Sequence, residues 1–206
     1  TYFNLASGAV PNPENAGAVM YGNGKLECSL GQGAYGILEP YPPSAPPNMK
    51  YKVLNIGGWG SYGDSSKPVL WTDTSMGHIS TNIDTIITYM KDTFNNYNVL
   101  SLDIEGVEDG GNFGPIVNNI CAALVGAGLG SMLTFPGFGV SADFGGMDWF
   151  SKVEEKNVTR LCLMYYDHIN DTELKSYNSD MMKAKTHPLI LAYPASKKII
   201  GLSCAN

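Results

Sequence analysis

The chain has 206 residues and a net charge of −6, with 44% hydrophobic and 16% charged residues. These proportions fit a single folded domain, 1–206, with enough apolar material for a core. The acidic balance argues against a nucleic-acid backbone as partner, which needs a basic face, and no run approaches the roughly 18 apolar residues of a membrane span.

The first residue is Thr1 rather than Met, so the chain reads as a processed product or a piece of a longer polypeptide. Tyr2-Phe3-Asn4-Leu5-Ala6 reads as a short strand. Residues 7–50 are rich in Gly, Pro, Asn and Ser and read as a long irregular excursion, the kind of loop that is often functional. Tyr51 to Ile56 is a strand stopped by Gly57-Gly58-Trp59-Gly60. Ile79, Ile83, Ile86, Ile87, Met90 and Phe94 recur at helical spacing and predict one helix between Met76 and Phe94. Val99 to Glu105 is a strand. Ile116, Val117, Ile120, Cys121 and Leu124 mark a helix ended by Gly126 and Gly128. Ser131 to Phe135 is a strand halted by Pro136-Gly137, and a short helix holds Trp149, Phe150 and Val153. Arg160 to Tyr166 is a strand, Glu173 to Lys183 a weak helix, and Leu189 to Tyr193 a last strand stopped by Pro194. From residue 51 strands alternate with helices, which implies an α/β fold with a parallel sheet or a (β/α) barrel.

Cys28, Cys121, Cys162 and Cys204 lack C-x-x-C spacing, and His78, His168 and His187 are scattered, so no zinc site is expected. Disulfide pairing stays open, while Cys162 sits in an apolar strand and reads as an inert core residue. Two sequons, Asn157-Val158-Thr159 and Asn170-Asp171-Thr172, point towards a secreted or extracellular setting.

The chemistry lies at strand ends. Leu100, Leu102 and Ile104 alternate with Ser101, Asp103 and Glu105, and Gly106 stops the strand. Two carboxylates about 6–7 Å apart along one face influence each other's proton affinity. They stand where barrel enzymes keep their catalytic groups. Gly57-Gly58-Trp59 follows one strand, and Met164, Tyr166 and Asp167 end another. Singly, each has an ordinary explanation: a salt-bridged strand end, a turn with a packed tryptophan, an aromatic core strand. Together, in sequence order and all at strand C-termini, they form a constellation.

On these residues the chain resembles the family 18 glycoside hydrolases, the chitinases and endo-β-N-acetylglucosaminidases. The family's D-x-x-D-x-D-x-E is similar to Asn98-Val99-Leu100-Ser101-Leu102-Asp103-Ile104-Glu105, and its S-x-G-G to Asn55-Ile56-Gly57-Gly58, followed by Trp59. Its M-x-Y-D matches Met164-Tyr165-Tyr166-Asp167. Leu191 to Ala195 looks like its seventh strand, and Tyr2 to Ala6 like its second. The resemblance implies a TIM-type (β/α)8 barrel, incomplete in this chain, with about six recognisable strands. It also implies retaining, substrate-assisted cleavage of β-1,4-linked N-acetylglucosamine in chitin or N-glycan cores. Glu105 would be the general acid, Asp103 would orient the acetamido group, and Tyr166 would hydrogen-bond the acetamido oxygen. Met164, Asp167, Trp59, Gly58, Ser101 and Asn55 would line the sugar pocket. No metal or organic cofactor is implied; the partner is an N-acetylglucosamine-containing oligo- or polysaccharide.

Three positions differ from the family pattern, and two of them matter: Ser101 stands for an inner aspartate and Asn55 for a serine. In the family these neighbours share a hydrogen bond; a serine and an asparagine can keep one while losing the negative charge, which implies a slower enzyme, an altered pH profile, or a binding protein that kept its acid. Asn98, in place of the outermost aspartate, faces away from the pocket by parity and is expected to be structural. Only about a dozen residues follow Pro194, too few for a helix and an eighth strand. Two other readings stand beside the enzyme: a chitinase-like lectin, and an inhibitor, storage or assembly protein on the same barrel.

Overall fold

The computed structural model describes residues 2–8, 19–22, 25–29, 35–38, 51–57, 59–61, 64–68, 71–91, 97–104, 107–108, 110–136, 148–165 and 188–202. In chain order the elements are β1 (Tyr2–Gly8), β2 (Val19–Gly22), β3 (Lys25–Ser29), β4 (Tyr35–Leu38), β5 (Tyr51–Gly57), β6 (Trp59–Ser61), β7 (Asp64–Pro68) and β8 (Trp71–Thr72). Next come α1 (Asp73–Thr81), α2 (Ile83–Lys91), β9 (Val99–Asp103), β10 (Val107–Glu108), α3 (Phe113–Gly126), β11 (Gly130–Pro136), β12 (Arg160–Tyr165), α4 (Pro188–Leu191) and β13 (Lys198–Leu202). Two 3₁₀ turns, Asp148–Lys152 and Glu155–Asn157, lie between β11 and β12.

The main sheet has six strands in the order β1-β5-β9-β11-β12-β13, and every pairing is parallel. This is the α/β class expected from the alternation. Each strand lies beside its predecessor in this sheet, so all C-terminal strand ends share one edge.

The period-two pattern sorts side chains onto two faces. Leu54, Ile56, Leu100, Leu102, Leu133 and Leu161 pack with helix residues such as Met76, Ile86, Val117 and Ile120. On the opposite face Val53, Val99 and Met132 cluster with Tyr51, Cys162 and Ile199. That second face is concave. Arg160 Nη2 donates to the Tyr51 hydroxyl at 2.8 Å and its guanidinium lies 5.3 Å from the ring centroid. Strand register links Arg160 through Met132 and Ser101 to Asn55, three strands across and four residues above Tyr51. On a flat sheet the Arg160 and Tyr51 Cα atoms would be roughly 19 Å apart. Fully extended arginine and tyrosine plus one hydrogen bond reach about 16 Å. Only a curved sheet closes that gap.

The single helix expected between Met76 and Phe94 is two helices. Thr72 caps α1 in a reciprocal capping box with Ser75. At its other end Thr81 Oγ1 donates to the Gly77 carbonyl and Asn82 Nδ2 to the His78 carbonyl. Such back-bonding by short polar side chains competes with the helical ladder and ends it. The helix marked by Ile116 to Leu124 is α3, closed at Gly128 (φ +77°) by bonds from Gly128 N to Val125 O and Leu129 N to Leu124 O. This is a Schellman close, which only a residue at ease with positive φ completes without strain.

Two expectations need correction. Leu189 to Tyr193 is not a strand: Pro188–Leu191 is helical, with Ile190 and Tyr193 buried and Leu191 57% exposed. A five-residue apolar run does not distinguish period two from period three to four, and Pro188 at the first helical position favours the helix. Tyr193 stacks on Phe150, centroids 5.3 Å apart. The seventh-strand likeness of Leu191 to Ala195 goes with it; the sheet position belongs to β13. Nor are residues 7–50 wholly irregular, because β2, β3 and β4 form an antiparallel sheet. The weak helix from Glu173 to Lys183 lies outside the described residues, as do Phe94 and Tyr166.

Candidate functional site

Asp103 is the last residue of β9, on the concave face and 8% exposed. Its strand is flanked on both sides, with Gly57 and Thr134 directly opposite it. Trp71, fully buried, donates its indole N–H to the Asp103 carbonyl at 3.1 Å. Ile104 N donates to the Thr134 carbonyl at 2.6 Å. The backbone carrying the carboxylate is thereby held from two directions.

Below Asp103 the concave face carries uncharged polar groups. Ser101 and Thr134 are both buried, and their hydroxyl oxygens lie 2.8 Å apart. Cys162, opposite Thr134 in register, hydrogen-bonds the same threonine through its thiol. Burial pushes the Cys162 thiol up to about 11; the Thr134 hydrogen bond acts against this, and the nearby Asp103 carboxylate adds to it. Cys162 is therefore a protonated, unreactive thiol at neutral pH, as expected for an inert residue. Cys121 lies buried on the helix face, where burial raises its thiol to about 12 against a hydrogen bond with Ser131. Both are free thiols, and they belong to opposite faces of the sheet.

The expected site residues stand as follows. Asp103 and Ser101 share the concave face, at the C-terminal end and in the middle of β9. Asn55 is opposite Ser101 in register, and the Ser101 hydroxyl bonds Thr134; the expected Ser101–Asn55 hydrogen bond falls outside the described residues. Met164 is on β12 opposite Pro136, one step above the Thr134–Cys162 pair. Trp59 begins β6, which pairs with β7 in an antiparallel hairpin. The side chains of Asn55, Met164 and Trp59, and the whole of Glu105, Gly58, Tyr166 and Asp167, lie outside the described residues. Asn98 is structural: its Oδ1 accepts from Lys52 N at 2.7 Å and pins the start of β9 to β5.

Thr134, Trp71 and Asp73 escaped the sequence reading, and Cys162 entered it only as an inert core residue. Thr134 and Cys162 differ from Asp103 and Ser101 only by strand, so register was needed to bring them together. Trp71 lacked a periodic neighbour. A clearer signal was available for Asp73, an acid just after the Thr72 helix cap; its carboxylate accepts from Gly110 N at 3.2 Å and from Asn112 N at 3.1 Å.

Among the described residues no three His, Cys, Asp or Glu side chains gather as metal ligands, and no helix is long and apolar enough to cross a membrane. Asn157, one of the two sequon asparagines, is buried with its amide nitrogen donating to Asn118 Oδ1 at 3.0 Å. Asn170 lies outside the described residues. No family model, curated protein or solved structure matches the chain.

Proposed function

We propose that the chain is a retaining glycoside hydrolase of the family 18 type, built on a (β/α)8-style barrel and acting on β-1,4-linked N-acetylglucosamine. The observation that carries the reading is Asp103: a nearly buried carboxylate at the C-terminal tip of a central parallel strand, on the concave face of a curved sheet. Barrel enzymes work at that edge. Strands added in sequence order, and the oblique Arg160–Tyr51 contact, also fit tilted barrel staves. A polymeric or glycan substrate suits a secreted protein.

In this mechanism Glu105 gives its proton to the glycosidic oxygen as the bond to the anomeric carbon breaks. The substrate's acetamido oxygen attacks that carbon, forming an oxazolinium ion. Asp103 accepts a hydrogen bond from the acetamido N–H and offsets the positive charge. Tyr166 steadies the acetamido oxygen, while Met164, Asp167, Trp59 and Gly58 line the pocket. Glu105 then takes a proton from the water that opens the ring.

The buried Ser101–Thr134 pair favours a second reading, a carbohydrate-binding lectin. A hydroxyl beneath Asp103 holds no charge and shares no acidic proton with it, so the proton cycling of turnover loses one participant. A fluorogenic chitobioside and chitin oligomers separate the readings. Turnover by the wild type, lost at least 100-fold in Glu105→Gln, supports the hydrolase. Oligomer binding without turnover in both proteins supports the lectin, and neither binding nor turnover removes both.

A further inference from the structure

We propose that Asp73 is a positioning residue for Glu105, clamping the segment that carries this acid to the start of α1. The inference rests on the hydrolase reading, which gives Glu105 its role.

Three consecutive residues, Trp71, Thr72 and Asp73, grip the chain on both sides of Glu105. Before it, the Trp71 indole holds the Asp103 carbonyl. After it, Val107 and Glu108 pair in parallel with Trp71 and Thr72. Farther on, Gly110 N and Asn112 N donate to separate oxygens of Asp73. Thr72 and Ser75 form the cap of α1 between themselves, leaving the Asp73 carboxylate to serve the neighbouring loop. A carboxylate in the first turn is also favoured by the helix dipole. The fit is close: a Cβ at Gly110 would stand 2.6 Å from Asp73 Oδ2, so a side chain there displaces the carboxylate.

The geometry gives the clamp a functional meaning. A general acid must meet the glycosidic oxygen within hydrogen-bond reach. Before Glu105 the chain is anchored by Ile104 N on the Thr134 carbonyl and by the Trp71 indole on the Asp103 carbonyl. Without a second anchor beyond Glu105, the acid would sample positions away from the leaving group. Sugar binding, carried by residues on other strands and by Asp103, whose carbonyl Trp71 still holds, would be preserved.

The test uses the full chain as wild type, Asp73→Ala, Asp73→Asn and Gly110→Ala. It combines chitobioside kinetics with hydrogen exchange over residues 104–112 and a circular-dichroism melt. Asp73→Ala is expected to speed exchange in that segment and lower kcat about 10–100-fold, the scale of a small misplacement of a reacting group, with KM within about twofold. Asp73→Asn keeps one acceptor oxygen and falls in between. Gly110→Ala reproduces the Asp73→Ala pattern from the other side of the contact, and decides the matter if Asp73→Ala fails to fold. Faster exchange with unchanged kcat, or a rise in KM alone, overturns the proposal while leaving the hydrolase reading intact. A wild type without turnover removes the hydrolase reading and this role together.

Discussion

Ser101 and Thr134 present two buried hydroxyls to each other across β9 and β11. Removing one partner strands the other without water, which costs about 1–3 kcal/mol, whereas replacing both is nearly neutral. Thr134→Val and Ser101→Ala should each destabilise by that amount, and the double variant by much less than their sum. Denaturant unfolding of the four proteins measures the coupling; strict additivity would mean the contact carries no stability. At this scale the sequence was half legible. Strict alternation from Leu100 to Glu105 assigned Asp103 to the face away from the helices. It was silent on Thr134, because which residue faces Ser101 depends on the register of a strand thirty residues on.

Elements were legible where one signal dominated. Helix α3 combined apolar spacing with Gly128 just past its end, and its Schellman close is the structural counterpart of that spacing. Gly128→Ala should cost about 1–2 kcal/mol, the strain of an L-residue in the left-handed region, read as a lower midpoint in denaturant with the slope unchanged. A midpoint equal to wild type would show that the turn relaxes. Elements were misread where two signals competed. Leu189 to Tyr193 offered an apolar run and a preceding proline, and the proline prevailed. In 7–50 the abundance of Gly and Pro obscured the alternation of Lys25 to Ser29, although Asn23-Gly24 just before it is a hairpin sequence.

At the scale of the whole molecule, the buried thiols make stability depend on alkaline pH. Cys121 ionises near 9.0 when unfolded but at about 12 when folded, because burial disfavours the thiolate. Its contribution is fully present below pH 9. Above that the unfolded chain sheds the proton while the folded chain keeps it, so stability falls as pH rises towards 12. Three pH units correspond to about 4 kcal/mol. Cys162, raised to about 11, acts in the same direction. Unfolding free energies under reducing conditions from pH 8 to 11 should decline, and Cys121→Ser, which keeps a hydrogen-bonding group near Ser131, should decline less steeply. Parallel curves would sink this assignment.

The order of the strands bears on how the chain is made. Each main-sheet strand from β5 onward joins the one laid down before it, so no strand must wait for a distant successor before pairing. As the polypeptide leaves the ribosome, β5 can seat on β1, then β9 on β5, with the intervening helices covering one surface as each turn is completed. Each addition nevertheless closes a loop of roughly 30–50 residues before its hydrogen bonds form, which slows the step. The order also means that the growing border always presents open amide and carbonyl groups, so the newest strand is the one most in need of a chaperone until the next arrives.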